Sequence, residues 1–166
     1  MHNPAHLYPL YCLLFTMPGV PSLYYGSEWG LPGRRSRSSD RALRPCLDLP
    51  QLASQAPHPE LLQAIKRLAR IRHSSAALRY GRYQPLHTAH VQFAFLRHWH
   101  DQHVVLMLNA SDRPAEVQLD LPLPHGTSLV DLLDPRATFT AHSGKLTATI
   151  PPCWARILQA HTSSLP

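Results

Sequence analysis

Acidic residues, glycine, cysteine and long apolar runs are all scarce in this sequence. Ten residues are Asp or Glu against 16 Lys or Arg, a balance of +6, and charged residues make up 16% of the chain, below the usual ~25%. A basic balance invites an anionic partner. Here the charges are scattered, and the one dense run, GRRSRSSDR (33–41), lies in a stretch that reads as loop. No aromatic residues interleave it, which excludes the stacking-plus-charge pattern of nucleic-acid binding. Seven glycines against 17 prolines favour short elements with rigid breaks over long helices. Cys12, Cys46 and Cys153 are odd in number and far apart, with no CxxC pair. That excludes a zinc ribbon or a disulfide framework and reads as buried thiols in a reducing compartment. The longest apolar-rich run, Leu10 to Val20, is broken by Thr16, Pro18 and Gly19, far short of the ~18 apolar residues a spanning helix needs. It also lacks the basic flank of a signal peptide. No membrane partner is expected, and the expected location is cytoplasmic.

Catalytic signatures are equally sparse. There is no glycine-rich phosphate loop and no helix-borne metal pair. GSEWG, around Ser27, lacks the Gly-x-Ser-x-Gly spacing of a nucleophile elbow. HWHDQH places His98, His100 and His103 around a hairpin turn, but only Asp101 accompanies them, so they read as an exposed polar turn and not as a metal site. No cofactor is expected.

What remains is an ordered series of elements. Apolar residues make up 44% of 166, enough for the core of one ordinary domain or two small ones. Asn3 and Pro4 form a helix start. Leu7, Leu10, Leu14 and Met17 then recur at helical spacing until Pro18-Gly19 ends the helix. VPSLYYG reads as a strand over about 20–26; its continuous run Leu23, Tyr24, Tyr25 suggests cover on both faces. An irregular stretch over 30–57 follows, of a length that is usually functional or disordered. A helix over about 59–74 carries Leu61, Leu62, Ile65, Leu68 and Ala69 on one stripe. After a boundary near 80–88 the pattern turns to short strands: VQFAFLRHW, VVLMLNAS, AEVQLDL, SLVDLL and KLTATIPPCWARILQA. Their close spacing predicts an antiparallel sandwich. Asn109 to Asp112 reads as a strand-ending turn.

This order resembles the C-terminal end of the α-amylase family (glycoside hydrolase family 13), and within it the neopullulanase, cyclomaltodextrinase and maltogenic-amylase branch. LLFTMPGVPSLYYGSEWGL resembles the family's last barrel helix-to-strand passage, which ends in Tyr-Tyr-Gly-x-Glu. RALRPCLDL resembles the Arg-Arg-Pro segment of the following loop. LLQAIKRLARIRHSSAALRYGRY resembles the final barrel helix and its Ala-Leu-x-x-Gly exit. FAFLRHW…VVLMLNAS and LTATIPPCWARIL resemble the first hairpin and last strand of the C-terminal β-domain. The resemblance implies an α/β plus all-β chain: residues 1–82 as the last helix-strand-helix of a (β/α)8 barrel, and residues 85–166 as an antiparallel β-sandwich.

The family cleaves α-glucosidic bonds in maltodextrins or cyclodextrins with retention, which needs two carboxyl groups about 5–5.5 Å apart. Its nucleophile Asp, acid Glu and stabilising Asp belong to earlier barrel strands, and none can be placed on this sequence. Glu28 is the one acid at the end of a barrel-like strand, with Asp40 and Asp48 in the adjacent loop. No catalytic residue is therefore assigned, and the chain is expected to be inactive alone. The implied partners are an α-glucan oligosaccharide and the family's N-terminal barrel segment, where any export signal would also lie. Glu28 is expected beneath a sugar site and Trp29, just past the strand end, to face the sugar. Tyr24 and Tyr25 are expected in the core, and the apolar faces of residues 7–25 are expected to lack a packing partner. A separately made accessory or glucan-binding module that complements a barrel-bearing chain is the alternative.

Overall fold

The computed structural model describes residues 3–33, 37 and 39–161, so Arg34, Arg35, Ser36 and Ser38 of the basic run lie outside it. The chain divides into two compact units, Met1–Val20 with Leu68–Pro166, and Pro21–Arg67. Four helices, α1 (Leu7–Thr16), α2 (Leu49–Gln55), α3 (Pro59–Ser74) and α4 (Ala76–Tyr80), precede eight strands. These are β1 (Arg82–Thr88), β2 (Gln92–Trp99), β3 (Gln102–Asn109), β4 (Ala115–Asp120), β5 (Ser128–Asp131), β6 (Asp134–Thr140), β7 (Lys145–Ile150) and β8 (Trp154–His161). Among the described residues all strand pairing is antiparallel. Six strands form one sheet in the order β1-β2-β3-β8-β5-β6, and β4 pairs with β7.

The sandwich core lies between these sheets. Ala94, Leu96, Val105, Met107, Leu129, Leu158 and Ala160 from the large sheet meet Val117, Leu119, Leu146, Ala148 and Ile150 from the small one. β4 and β7 alternate buried and exposed residues, as strands with one wet face must. β2 and β3 are instead buried on both faces through their centres, because α1 and α4 cover the other side of the large sheet. Each fully buried Leu, Ile or Phe contributes about 1.5–3 kcal/mol, which makes this three-layer arrangement the main source of stability. Both edge strands carry a proline, Pro85 in β1 and Pro135 in β6. A missing N–H is tolerated only at such an edge, where it also discourages pairing with another chain.

The start of α1 is as the sequence predicts. Asn3 caps the chain, its side chain accepting from Ala5 N at 2.9 Å, and Pro4 opens a 3₁₀ turn that runs into the helix. Its packing is not as predicted. Tyr11, Cys12 and Phe15 are buried, at 5%, 2% and 5% exposure, and α1 packs on β3 and β8, with Tyr8 against Trp154 at 5.4 Å between ring centroids. The expectation of an unpartnered helix is thus wrong on this face. Leu10, from the expected apolar stripe, is 46% exposed.

Two buried arginines close the helix. Arg72 donates to the carbonyls of Phe15, Met17 and Gly19, and Arg97 to those of Thr16 (2.7 Å) and Gly81 (2.9 Å). The last carbonyls of a helix have no intrahelical partner, and cations are favoured there by the helix dipole. Burial lowers the pKa of both guanidinium groups, and for Arg97 the neighbouring Arg72 charge adds to it.

In the unit Pro21–Arg67 the expected strand over 20–26 is absent: residues 20–24 have no sheet partner among the described residues. The covered positions expected there are exposed, Tyr24 at 53% and Tyr25 at 45%. A strand is defined by hydrogen bonds to a neighbour, and among the described residues no neighbouring strand supplies them. The irregular stretch 30–57 contains α2, capped by Asp48, whose side chain accepts from Gln51 N at 3.2 Å.

Candidate functional site

The turn that carries Glu28 and Trp29 is built by two glycines. Gly26 (φ 86°) and Gly30 (φ 70°) flank a single 3₁₀ turn, Ser27–Trp29. Both hold left-handed backbone, which a side chain rarely adopts. At Gly30 a Cβ would also stand 2.6 Å from the ring of His58. Trp29 N donates to Gly26 O, Leu31 N shares that acceptor, and the Ser27 hydroxyl donates back to Tyr24 O. The local signals Gly-Ser-x-Trp-Gly therefore shape a tight knot rather than the end of a strand.

Within it Trp29 is half-buried. Glu28 is half-buried too, and its Oε2 is enclosed with no hydrogen-bond partner among the described residues. A carboxylate needs donors or a cation when it leaves water, so this oxygen is the chemical anomaly of the turn. The two acids of the adjacent loop have other surroundings. Asp48 is engaged as the cap of α2, and Asp40 is exposed ahead of a 3₁₀ turn at Arg41–Leu43.

Beside the turn lies an open cavity of about 350 Å³ lined by Leu31, Pro32, Cys46, Asp48, Gln51 and Leu52, among others. A smaller one of about 130 Å³ is bordered by Tyr24, Tyr25, Ser27 and Leu43. Tyr25 reaches across the loop to donate to Pro45 O at 3.2 Å.

The histidines fall apart as a set. His98 and His103 stand opposite each other on β2 and β3, with rings 6.0 Å apart and nearly parallel. His100 is in the turn at φ 51° and lies edge-on to Trp99. Among the described residues no three His, Cys, Asp or Glu side chains are placed to hold a metal.

Two buried polar clusters have no signal in the sequence beyond the residue types. Asp131 is 1% exposed and accepts from Leu133 N, Ile157 N and Arg156 Nη1 (3.0 Å). Asn109 is fully buried, so it is more than a strand-ending turn. Its Nδ2 donates to Arg113 O (2.7 Å) and Pro151 O (3.1 Å), and its Oδ1 accepts from Ser111 N and Gln92 Nε2. These clusters tie β3, β5 and β8 to their loops and leave no group free for chemistry.

Residues 83–157, which contain the hairpin β2–β3 and most of the sandwich, match the model of the maltogenic amylase C-terminal domain. Over these residues the chain is similar to the C-terminal domain of the α-amylase family. Neopullulanase 2 of Thermoactinomyces vulgaris is 30% identical over 151 residues, covering 88% of this chain and 24% of that protein. The mouse amino acid transporter heavy chain SLC3A2 is 32% identical over 143 residues, 76% of this chain and 27% of that one. The solved α-amylase of Geobacillus thermoleovorans, complexed with acarbose, overlays 98% of this chain and 34% of its own at a TM-score of 0.82 and 23% identity. The chain thus spans about a quarter of the curated relatives it matches, and its eight strands are the family's C-terminal β-sandwich, with only part of a barrel before them.

Proposed function

We propose that this chain is the C-terminal portion of a retaining α-glucan hydrolase acting on α-1,4 linkages of maltodextrin, cyclodextrin or starch-like substrates. Residues 1–82 would be the last part of its barrel and 85–166 its β-domain. The observation that carries this is the match of residues 83–157 to a maltogenic amylase C-terminal domain, preceded in the same chain by the helix, Tyr-Tyr-Gly-x-Glu turn and helix of the family's barrel end.

In this reading Glu28 lies beneath the sugar site, its bare Oε2 meeting a donor from barrel strands outside this chain, and Trp29 faces the sugar. Retention requires a nucleophile and an acid about 5–5.5 Å apart. In this reading both come from barrel strands outside this chain, so the chain alone is inactive. Incubation with maltodextrin and β-cyclodextrin should release no reducing sugar above a boiled control; hydrolysis by the purified chain would overturn the reading.

A second reading draws on the relative named as a transporter heavy chain, a name that is not that of a hydrolase. The chain would then be a separately made module that complements a barrel-bearing partner. The neighbouring DNA separates the two. An adjacent upstream reading frame encoding barrel strands and the three acids supports the first, and intact unrelated neighbours support the second.

A further inference from the structure

One row of side chains, at the hairpin end of β2 and β3, is basic on all three strands it crosses. Arg82 on β1 stands directly opposite His98 on β2, and His98 directly opposite His103 on β3. Direct cross-strand partners project from one face of a sheet. Residues two apart on a strand share that face, and Leu96 and Val105, two residues inward, belong to the sandwich core. The row therefore continues the core face past its rim: His98 and His103 are half-buried and Arg82 is exposed. Among the described residues none of the three is ion-paired to a carboxylate.

Like charges directly opposite one another destabilise a sheet. Arg82 beside two imidazoles leaves positive charge that nothing in the row offsets. The rings decide which kind of ion fits. Those of His98 and His103 are stacked, with centroids 6.0 Å apart and planes 13° from parallel. A metal ion has to lie in the plane of each imidazole that ligates it, and two stacked parallel rings have no such point in common. Their N–H groups can instead reach separate oxygens of one tetrahedral anion, at about 2.7–2.9 Å each. The tautomer of His103 agrees. Its Nδ1 lies 3.1 Å from Asp101 O; a carbonyl only accepts, so Nδ1 carries a proton and Nε2 is left for a ligand. An imidazolium donates through both nitrogens, and a bound anion favours that form.

We infer that Arg82, His98 and His103 bind a phosphate group, either free phosphate or the phosphate of a small phosphorylated sugar. The planar guanidinium grips two oxygens and the imidazoliums take the others. The site gives the +6 balance of the chain one defined anionic partner. It rests on the row alone and is independent of the hydrolase reading.

The test is a titration of the whole chain with inorganic phosphate, glucose 6-phosphate and glucose at pH 6 and fixed ionic strength, followed by amide and histidine-ring NMR shifts. Both phosphates should give saturable shifts at Arg82, His98 and His103, and glucose none. Tighter binding of glucose 6-phosphate identifies the sugar phosphate as the source, and equal binding identifies free phosphate; either supports the site. Arg82→Gln and His103→Gln should each weaken binding about fivefold, with thermal melts matching the wild type. Arg136→Gln, which removes the same charge from an exposed position on β6, should leave binding unchanged. Shifts that grow linearly without saturating overturn the site, as does an R136Q loss equal to that of R82Q. Zinc that binds to His98 and His103 and displaces phosphate would make the row a metal site and overturn it as well.

Discussion

Asn109→Asp is the sharpest test of how the sandwich is held together. The substitution is nearly isosteric, so it changes hydrogen-bond polarity and little else. In the native chain the Nδ2 group donates at 2.7 Å to Arg113 O and 3.1 Å to Pro151 O. An ionised carboxylate there has no proton to give. It leaves two partly buried carbonyls without their donor, at about 1–3 kcal/mol each, and sets its own charge against them, so a loss of about 4 kcal/mol at pH 7 is expected. The Oδ1 bonds from Ser111 N and Gln92 Nε2 survive the change and keep the loss below that of Asn109→Ala, which removes every bond and leaves a void.

The pH dependence has a definite sign. Burial and facing carbonyls raise the folded-state pKa of the new carboxyl above its unfolded value. The folded state then binds the extra proton, so the variant regains stability as pH falls from 7 towards 5, relative to the wild type. Urea unfolding followed by far-ultraviolet circular dichroism at pH 5, 6 and 7 measures both effects. A variant within about 0.5 kcal/mol of wild type at pH 7, or one whose deficit grows as pH falls, would refute the assignment of Asn109 as a donor to those carbonyls.

Arg97→Met removes the bonds to Thr16 O and Gly81 O but also relieves a buried charge, so a net loss of about 2 kcal/mol is expected, read as a lower urea midpoint. Gly81→Ala should be worse, about 3 kcal/mol or more, because the atoms a Cβ would meet, Ala77 O and His98 O, belong to backbone; a melting temperature equal to wild type would contradict the close approach of α4 to β2. Burial first, and then the Asp131 carboxylate, pushes the Cys12 thiol up to about 12, and only the thiolate is nucleophilic. Iodoacetamide at pH 8 should therefore label exposed Cys46 and spare Cys12 until the chain is unfolded, as peptide mass spectrometry would show.

Much of the fold was legible because it rests on local chemistry. Asn3-Pro4 announces the start of α1, the apolar stripe of α3 marks the helix over 59–74, and the strand runs after Gly81 mark the sandwich. Even the long stretch 30–57 left one trace, Asp48 before Leu49-Pro50, which caps α2. The strand over 20–26 failed for the opposite reason. Leu23-Tyr24-Tyr25 has strand-like composition, but a strand is completed by a neighbour, and composition does not say whether the neighbour is there. The face that α1 buries was misjudged because Leu10 and Tyr11 are both apolar, and only the surface of β3 and β8 selects between them. At the candidate site Glu28 and Trp29 were legible as residues. The enclosure of Glu28 Oε2 without a donor was not, since it depends on how the loop folds around the turn.

By itself the sequence carried the resemblance to the α-amylase family, the start of α1, the stripe of α3 and the strand runs of the sandwich. All of these reside in residue type and spacing along the chain. Only the tertiary structure decided that Arg72 and Arg97 close α1 and that Asn109 and Asp131 are buried clasps. Those pairings join residues as far apart as Thr16 and Arg97, and contacts at such separation leave no periodicity in a linear sequence.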